Sequence, residues 1–405
     1  MLLLDLARKN MWRNRHRTLI VMASIAFAVV LSVFASSLKT GVFDNLIKNM
    51  VSYYTGYIQV HQKGYWDERI LDNSFTNQPE LEKKILSLPE ITGISPRLES
   101  FALVSTGDKT KGCMVAGVDP EKEDQITSLK SKITQGTCIS NDRGKIMLAE
   151  GLMKRLNVQL NDTLVLIGQG YHGATAAGKY RIAAQLHFGS PELNDNALFL
   201  SLTDAQQLYA AENQLTSFAL SIRNPDNIQS IQASLQQKLG NTYEVMTWKE
   251  MMPDIEQHIR GDSTNMQIVQ LILYLLISFG IFSTLLVMME ERKFEMGMLI
   301  AIGMRKQKLA IVLLLESLMT VLAGCIIGIM IAIPLVTYFN LHPIHITGET
   351  AKAYQRFGFE PIFPASLHPR HFIEQGIVVL CIGLLLSLYP VYKIFTLNTI
   401  QAMRK

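Results

Sequence analysis

The sequence predicts an α-helical membrane protein in which four transmembrane helices carry one large mixed α/β extracytoplasmic domain. Three observations predict it. Four apolar runs are each long enough to cross a bilayer, Lys and Arg gather at those ends of the runs that fall on one side, and residues 41–265 alternate strand-like and helix-like patterns.

Residues 1–17 form a basic head with Arg8, Lys9, Arg13, Arg15 and Arg17, read as amphipathic and cytoplasmic. The first span covers residues 18–40. Its core, TLIVMASIAFAVVLSVFASSL, holds 21 residues without a charge, and at about 1.5 Å per residue it crosses a hydrocarbon core of about 30 Å. Val33-Phe34-Ala35 resembles a small-residue cleavage site, but the run is longer than a signal-peptide h-region, and three later spans make a polytopic chain the simpler reading. Those spans are 266–289, 309–339 with Pro334, and 372–392 with Pro390. Arg292, Lys293, Arg305, Lys306 and Lys308 mark the turn 290–308, and Lys393, Arg404 and Lys405 mark the tail 393–405. Cationic loops stay in the cytoplasm. Both termini are therefore expected inside, with 41–265 and the loop 340–371 outside.

The external segment reads as mixed α/β. Ser217 to Arg223 is strand-like, Asn224-Pro225-Asp226 is a turn, and Ile228, Ile231, Leu235 and Leu239 recur at helical spacing before Gly240 and a strand from Tyr243 to Trp248. A second such unit runs from a strand at Tyr57 to His61, through a helix opening at Pro79 with Leu81, Ile85 and Leu88 inward, to strands between Ile91 and Ser105. The two halves are expected to pair into one split α/β layer. Residues of about 125–215 look like an inserted strand-rich subdomain. Cys113 and Cys138 share the external segment, where an oxidising compartment permits a bridge and also permits two free thiols. The net charge of +4 is modest and much of the basic excess lies beside the spans, so composition gives no reason to expect nucleic acid.

GQGYHGATAAGKY, residues 168–180, carries glycines at both dinucleotide and phosphate-loop spacing. It lies between two predicted strands, no long helix opens after it, and Tyr180 stands where the magnesium-binding hydroxyl is required. A glycine-rich loop is the expected outcome, because a phosphate needs the amide cluster of a helix N-terminus. In the outer loop, His342 and His345 at one end and His368 and His371 at the other form two H-x-x-H pairs. Four imidazoles could take zinc or copper; interfacial polar residues are the alternative, and no metal is assigned.

The segment EERKFEMGMLIAIGMRKQKL, from Glu290 to Leu309, is apolar nearly all round between two charged ends. A helix of that kind needs cover, from a protein partner or from lipid headgroups. Glu291-Arg292-Lys293-Phe294-Glu295-Met296-Gly297-Met298-Leu299-Ile300-Ala301-Ile302-Gly303 resembles the E-R-x-x-E-I-G-x-L-R-A-I-G signature of the FtsX/MacB-type ABC transporter permeases, which include lipoprotein-release subunits. Ile300 departs from the Arg common there. The head from Leu6 to Arg15, the stretches Thr55 to His61 and Ala116 to Pro120, and the tail from Tyr389 to Arg404 are similar to that family too.

The resemblance implies a MacB-type periplasmic core, a bacterial inner-membrane location, and a chain that is not itself an enzyme. Glu291, Arg292, Glu295, Met296, Gly297, Leu299, Ala301, Ile302 and Gly303 would belong to a coupling helix seated on a separate ABC ATPase dimer. That partner would hold ATP and magnesium, and this chain would bind no cofactor. A second permease copy, membrane lipid, and a periplasmic cargo such as a lipoprotein are the other implied partners. Work would be done by mechanotransmission, in lipoprotein release or export of a related cargo; the alternative is an FtsX-like regulator of a cell-wall hydrolase. Glu316, an acid within the third span, is expected to face a helix partner or the cytoplasmic interface, since a lipid-facing charge there costs about 3 kcal/mol.

Overall fold

A computed structural model of the chain describes residues 8–9, 13, 15–140, 143–349, 351, 354 and 361–396. Along the chain, α1 (Arg15–Met50) leads to β1 (Ile58–Gln62), α2 (Pro79–Leu86), β2 (Ile91–Ser105), β3 (Thr110–Val118) and α3 (Pro120–Thr127). There follow β4 (Ile133–Gly136), β5 (Lys145–Ala149), α4 (Glu150–Leu156), β6 (Thr163–Gln169), β7 (Thr175–Leu186), β8 (Ala197–Ser201) and α5 (Leu202–Leu208). Then come β9 (Ser217–Ile222), α6 (Ile228–Leu239), β10 (Tyr243–Thr247), and the long helices α7 (Pro253–Ala301), α8 (Lys306–Leu341) and α9 (Pro369–Thr396). Two units result: a helical one of Met1–Asn45, Ile259–His345 and Ile362–Lys405, and an α/β one of Leu46–His258 and Ile346–Pro361.

In the α/β unit ten strands form one sheet in the order β10-β1-β9-β2-β3-β8-β5-β7-β4, with β6 pairing to β2 and β7. β1 is antiparallel to both β9 and β10, so those two run parallel with β1 between them and α6 crossing over. β9 in turn lies antiparallel between β1 and β2, whose crossover carries α2. These are two interlocked split βαβ units. Ile228, Ile231, Leu235 and Leu239 are all buried, and Gly240 ends α6, as the spacing predicts. Leu81 and Ile85 are buried on α2, whereas Leu88 falls just past its end and is half-buried.

The strands within 125–215 are hydrogen-bonded into this same sheet. The free edge of β3 accepts β8 in parallel register from Met114↔Ala197 to Val118↔Ser201, and β5, β7 and β4 extend the ladder. Alternating side chains divide the core between the two faces. Cys113, Val115, Ile146 and Leu148 join one cluster; Ala116, Val118, Met147 and Ala149 join the other. Cys138 packs against that second cluster and both thiols are free, so the bridge weighed from sequence is not formed. Burial pushes the Cys113 thiol up to about 12.

The glycine-rich stretch spans a hairpin. β6 and β7 pair from Thr163↔Arg181 to Gln169↔Thr175, closed by a single turn at Tyr171–Gly173, and Lys179 sits in the ladder opposite Val165. Among the described residues no α-helix opens beside it, so the turn lacks the amide cluster of a helix N-terminus.

Polar groups buried beneath the sheet are paired across elements. Arg97, fully buried, donates to Glu123 through Nε (2.9 Å) and Nη2 (2.7 Å), and through Nη2 to the Tyr54 carbonyl (2.6 Å). That carbonyl belongs to the π-helical turn Val51–Thr55 that follows α1. His61 is also fully buried, with Nδ1 3.0 Å from the Thr216 carbonyl. Desolvation holds its pKa down to about 4, against the opposing pull of the Thr216 carbonyl and Glu244. The unfolded chain takes up this proton near 6.5 and the folded chain only near 4, so between those values the unfolded state binds more protons. The stabilisation is complete above about pH 6.5 and is lost as pH falls toward 4, on the order of 3 kcal/mol in all. Denaturant unfolding of the purified chain from pH 7 to pH 4 should show this slope, flattened in His61→Asn.

Four helices are long and apolar enough to cross a membrane: Thr18–Asn49, Pro253–Ala301, Lys306–Leu341 and Pro369–Thr396. They outrun the apolar stretches seen in sequence, and Pro334 and Pro390 lie inside α8 and α9. Ile25 and Val29 of α1, Ile281 and Leu285 of α7, Val321 of α8 and Val379 of α9 share one core. Gln375 is the polar centre of that bundle: its Oε1 accepts from Ser32 of α1 and from Tyr274 Oη of α7 (2.5 Å). Gly328 lets α8 approach α1, since a Cβ there would lie 2.7 Å from Val29 Cβ and 2.8 Å from the Ala26 carbonyl. Close approach of small residues is how membrane helices gain packing contacts. Gly328→Leu should therefore cost about 2 kcal/mol by overpacking, seen as a lowered unfolding midpoint in detergent.

Candidate functional site

The conspicuous segment after the second span is not a separate rod. Residues 290–301 are the final turns of α7, because nothing in Glu290 to Ala301 breaks the helical hydrogen-bond ladder. It ends at Gly303. The Met304 amide donates to the Leu299 carbonyl and the Gly303 amide to that of Ile300, both 3.0 Å, with Gly303 at φ +104°. This is the Schellman pattern, whose left-handed residue favours glycine. Met304 and Leu299 then pack on one small core, and α8 begins at Lys306, whose Nζ reaches the Phe395 carbonyl at 3.0 Å.

The helix is apolar all round in sequence, yet its faces differ in the fold. Met296 packs inward with Leu309, Ala310 and Leu313 of α8 and Ile394 of α9, and Gly297 is buried beside it. Arg292 also turns inward. Its Nη1 lies 2.5 Å from Glu316 Oε1 on α8, with the two side chains 7% and 3% exposed. Glu316 therefore does face a helix partner. Glu295 lies 3.0 Å from Arg13 Nη2 and 3.7 Å from Arg292 Nε, tying the head and α7 into one charged network. Leu299 is half-buried.

Phe294, Met298 and Ile302 point the other way and are 51%, 42% and 78% exposed. Glu291, Ala301 and Gly303 share this exposed set. Spacing of three and four residues aligns them along one helix face. Of the nine residues selected from sequence, Arg292, Met296 and Gly297 thus build the interior while Glu291, Ala301, Ile302 and Gly303 build the surface. Phe294 and Met298 were missing from the nine, although the 294/298/302 spacing marks them. The family-like tail beyond Thr396 and most of the head lie outside the described residues.

The outer-loop histidines do not converge. His342 stacks on Tyr338 with centroids 4.9 Å apart, His371 Nδ1 lies 3.3 Å from Ser36 Oγ, and the His368 and His371 rings are 6.1 Å apart. Among the described residues no group of three or more His, Cys, Asp or Glu side chains could hold a metal.

Four long apolar helices, an α/β unit inserted between the first two, and a helix end presenting a bare apolar face define a multi-pass permease-type membrane subunit. Residues 268–399 match the family model described as FtsX-like permease C-terminal. Over its last third the chain carries an FtsX-like permease match, and along most of its length it resembles the FtsX/MacB-type ABC transporter permeases. It is 23% identical over 333 residues to the lipoprotein-releasing system transmembrane protein LolE of Haemophilus influenzae, covering 80% of each chain. It is 20% identical to LolC of Neisseria meningitidis over 97% of this chain and 95% of that one. The macrolide export ATP-binding/permease protein MacB of Acinetobacter baylyi matches at 21% over 83% of this chain but only 52% of its own. The periplasmic region of MacB from Actinobacillus actinomycetemcomitans aligns with 51% of this chain and 96% of its own at 14% identity and a TM-score of 0.36. The likeness throughout is to transmembrane permease proteins.

Proposed function

We propose that the chain is the membrane subunit of an ATP-driven lipoprotein-release system, with a separate ATPase seated on the Phe294, Met298 and Ile302 face. That exposed face carries the docking half of the reading, since contiguous bare apolar surface marks an interaction site. The Arg292–Glu316 pair and the Met296 core beneath it make the face rigid to a pull. The lipoprotein half is supported by coverage: the LolC and LolE relatives align along most of their length, whereas MacB aligns over about half. A second permease copy fits the span of α7, whose most apolar stretch is only 17% buried against 44% for that of α1.

Depletion of the chain in its host tests the reading. Lipoproteins destined for the outer membrane should accumulate in the inner membrane, and an ATPase should co-purify. Normal lipoprotein localisation, together with co-purification of a soluble cell-wall amidase, would establish the regulatory alternative instead.

A further inference from the structure

Two adjoining cavities of about 580 and 490 Å3 open on the α/β unit and share Arg69, Phe101, Met114, Glu192 and Leu193. Together they form one groove of the size that holds a small organic molecule. Its two ends differ in chemistry. At one end the sheet face is bare: Phe101, Leu103 and Ile167 are 64%, 52% and 47% exposed. The other end is lined by aromatic rings and by three carboxylates, Glu99, Glu192 and Asp254, against one guanidinium, Arg69.

That guanidinium is already engaged, stacked 3.9 Å over the Trp66 ring. Glu99 is opposed by Arg97 at 3.5 Å, but Glu192 and Asp254 have no ion-pair partner among the described residues. The buried wall adds an independent sign. Gln59 is 2% exposed and its amide nitrogen donates to the Thr55 carbonyl at 2.7 Å, which identifies Oε1 as the oxygen. Oε1 accepts from nothing, and the buried Thr55 hydroxyl beside it is likewise unmatched among the described residues. An unmatched buried acceptor costs free energy that a donor would recover.

We propose that this groove binds small amphipathic amines, with the apolar body against Phe101, Leu103 and Ile167 and the ammonium among Glu192, Asp254 and Gln59 Oε1. An ammonium supplies three donors and one positive charge, the two things this wall lacks. An anion would meet the carboxylates, and a neutral alkane would leave Gln59 unmatched. The site also touches Tyr54 and Thr55 just before β1 and Met251 to Ile255 at the start of α7, so an occupant contacts both connections of the sheet to the long helices.

Equilibrium binding of radiolabelled octylamine and octanoate to the full chain in nanodiscs, with empty nanodiscs subtracted, tests this without any ATPase and so stands apart from the function proposed above. Octylamine should bind saturably and octanoate should not. Glu192→Gln with Asp254→Asn, both at exposed positions that spare the fold, should weaken octylamine about ten-fold. Phe101→Ala with Leu103→Ala should weaken it similarly. Octanoate binding as tightly as octylamine, uptake no greater than by empty nanodiscs, or unchanged affinity in the double carboxylate variant would each overturn the assignment.

Discussion

Arg292→Met is expected to destabilise the helical unit by about 3 kcal/mol, because it strands Glu316 in a site only 3% exposed. Removing one partner of a buried ion pair costs more than the pair contributes, since the survivor keeps its desolvation penalty. Glu316 is exacting here: Oε1 is held by Arg292, and Oε2 has no other donor among the described residues. The double variant Arg292→Met, Glu316→Leu removes both charges and should recover most of the loss. Unfolding midpoints of the four proteins in detergent form the cycle. A single variant as stable as the parent would show that the pair is solvated in the membrane. The same cycle should appear in coupling: a loosened α7 end transmits a pull less well, so stimulated ATP hydrolysis should persist in the single variant while cargo release falls.

The second large effect falls on the opposite face of the same turns. Met298→Asp with Ile302→Asp places two charges on surface that is already exposed, so the fold should be unaffected. Docking of an ATPase should weaken by about 100-fold or more, the loss usual when two anchors of an interface are made polar. Co-purification and ATPase stimulation are the measurements. Retention of both with these substitutions would place the docking surface elsewhere. Because the two variants act on opposite sides of one helix, they separate attachment from transmission: the first keeps the motor bound and hydrolysing but uncoupled from release, and the second releases it.

Local pattern was enough for much of this fold. Four long apolar runs revealed four helices because a span must satisfy its own backbone and needs little else. The βαβ unit ending at Tyr243 to Thr247 was legible down to its buried positions, since Ile228, Ile231, Leu235 and Leu239 record which side meets the sheet. The glycine stretch was legible as a loop between two strands, because no helical period follows it. Leu88, read as inward on α2, lies two residues past its end at Leu86 and is half-buried.

The last turns of α7 show where pattern runs out. A helix apolar on every side carries no moment, so Phe294 and Met296 look alike in sequence and are separated only by what α8 and α9 place against one of them. Arg292 reads as a surface charge for the same reason, and its partner Glu316 lies 24 residues on. Cys113 and Cys138 were equally undecidable until strand register put their neighbours on different faces.

By itself, the sequence determined the spans, their number and the crossover units, and it marked the apolar turns at the end of the second span, all of which follow from hydropathy and backbone geometry within one segment. Only the tertiary structure decided that the strand-rich stretch joins one ten-stranded sheet and which side of α7 remains bare. It also decided that acceptors and carboxylates meet along one groove. Those outcomes depend on contacts between residues far apart in the chain, and no local period records them.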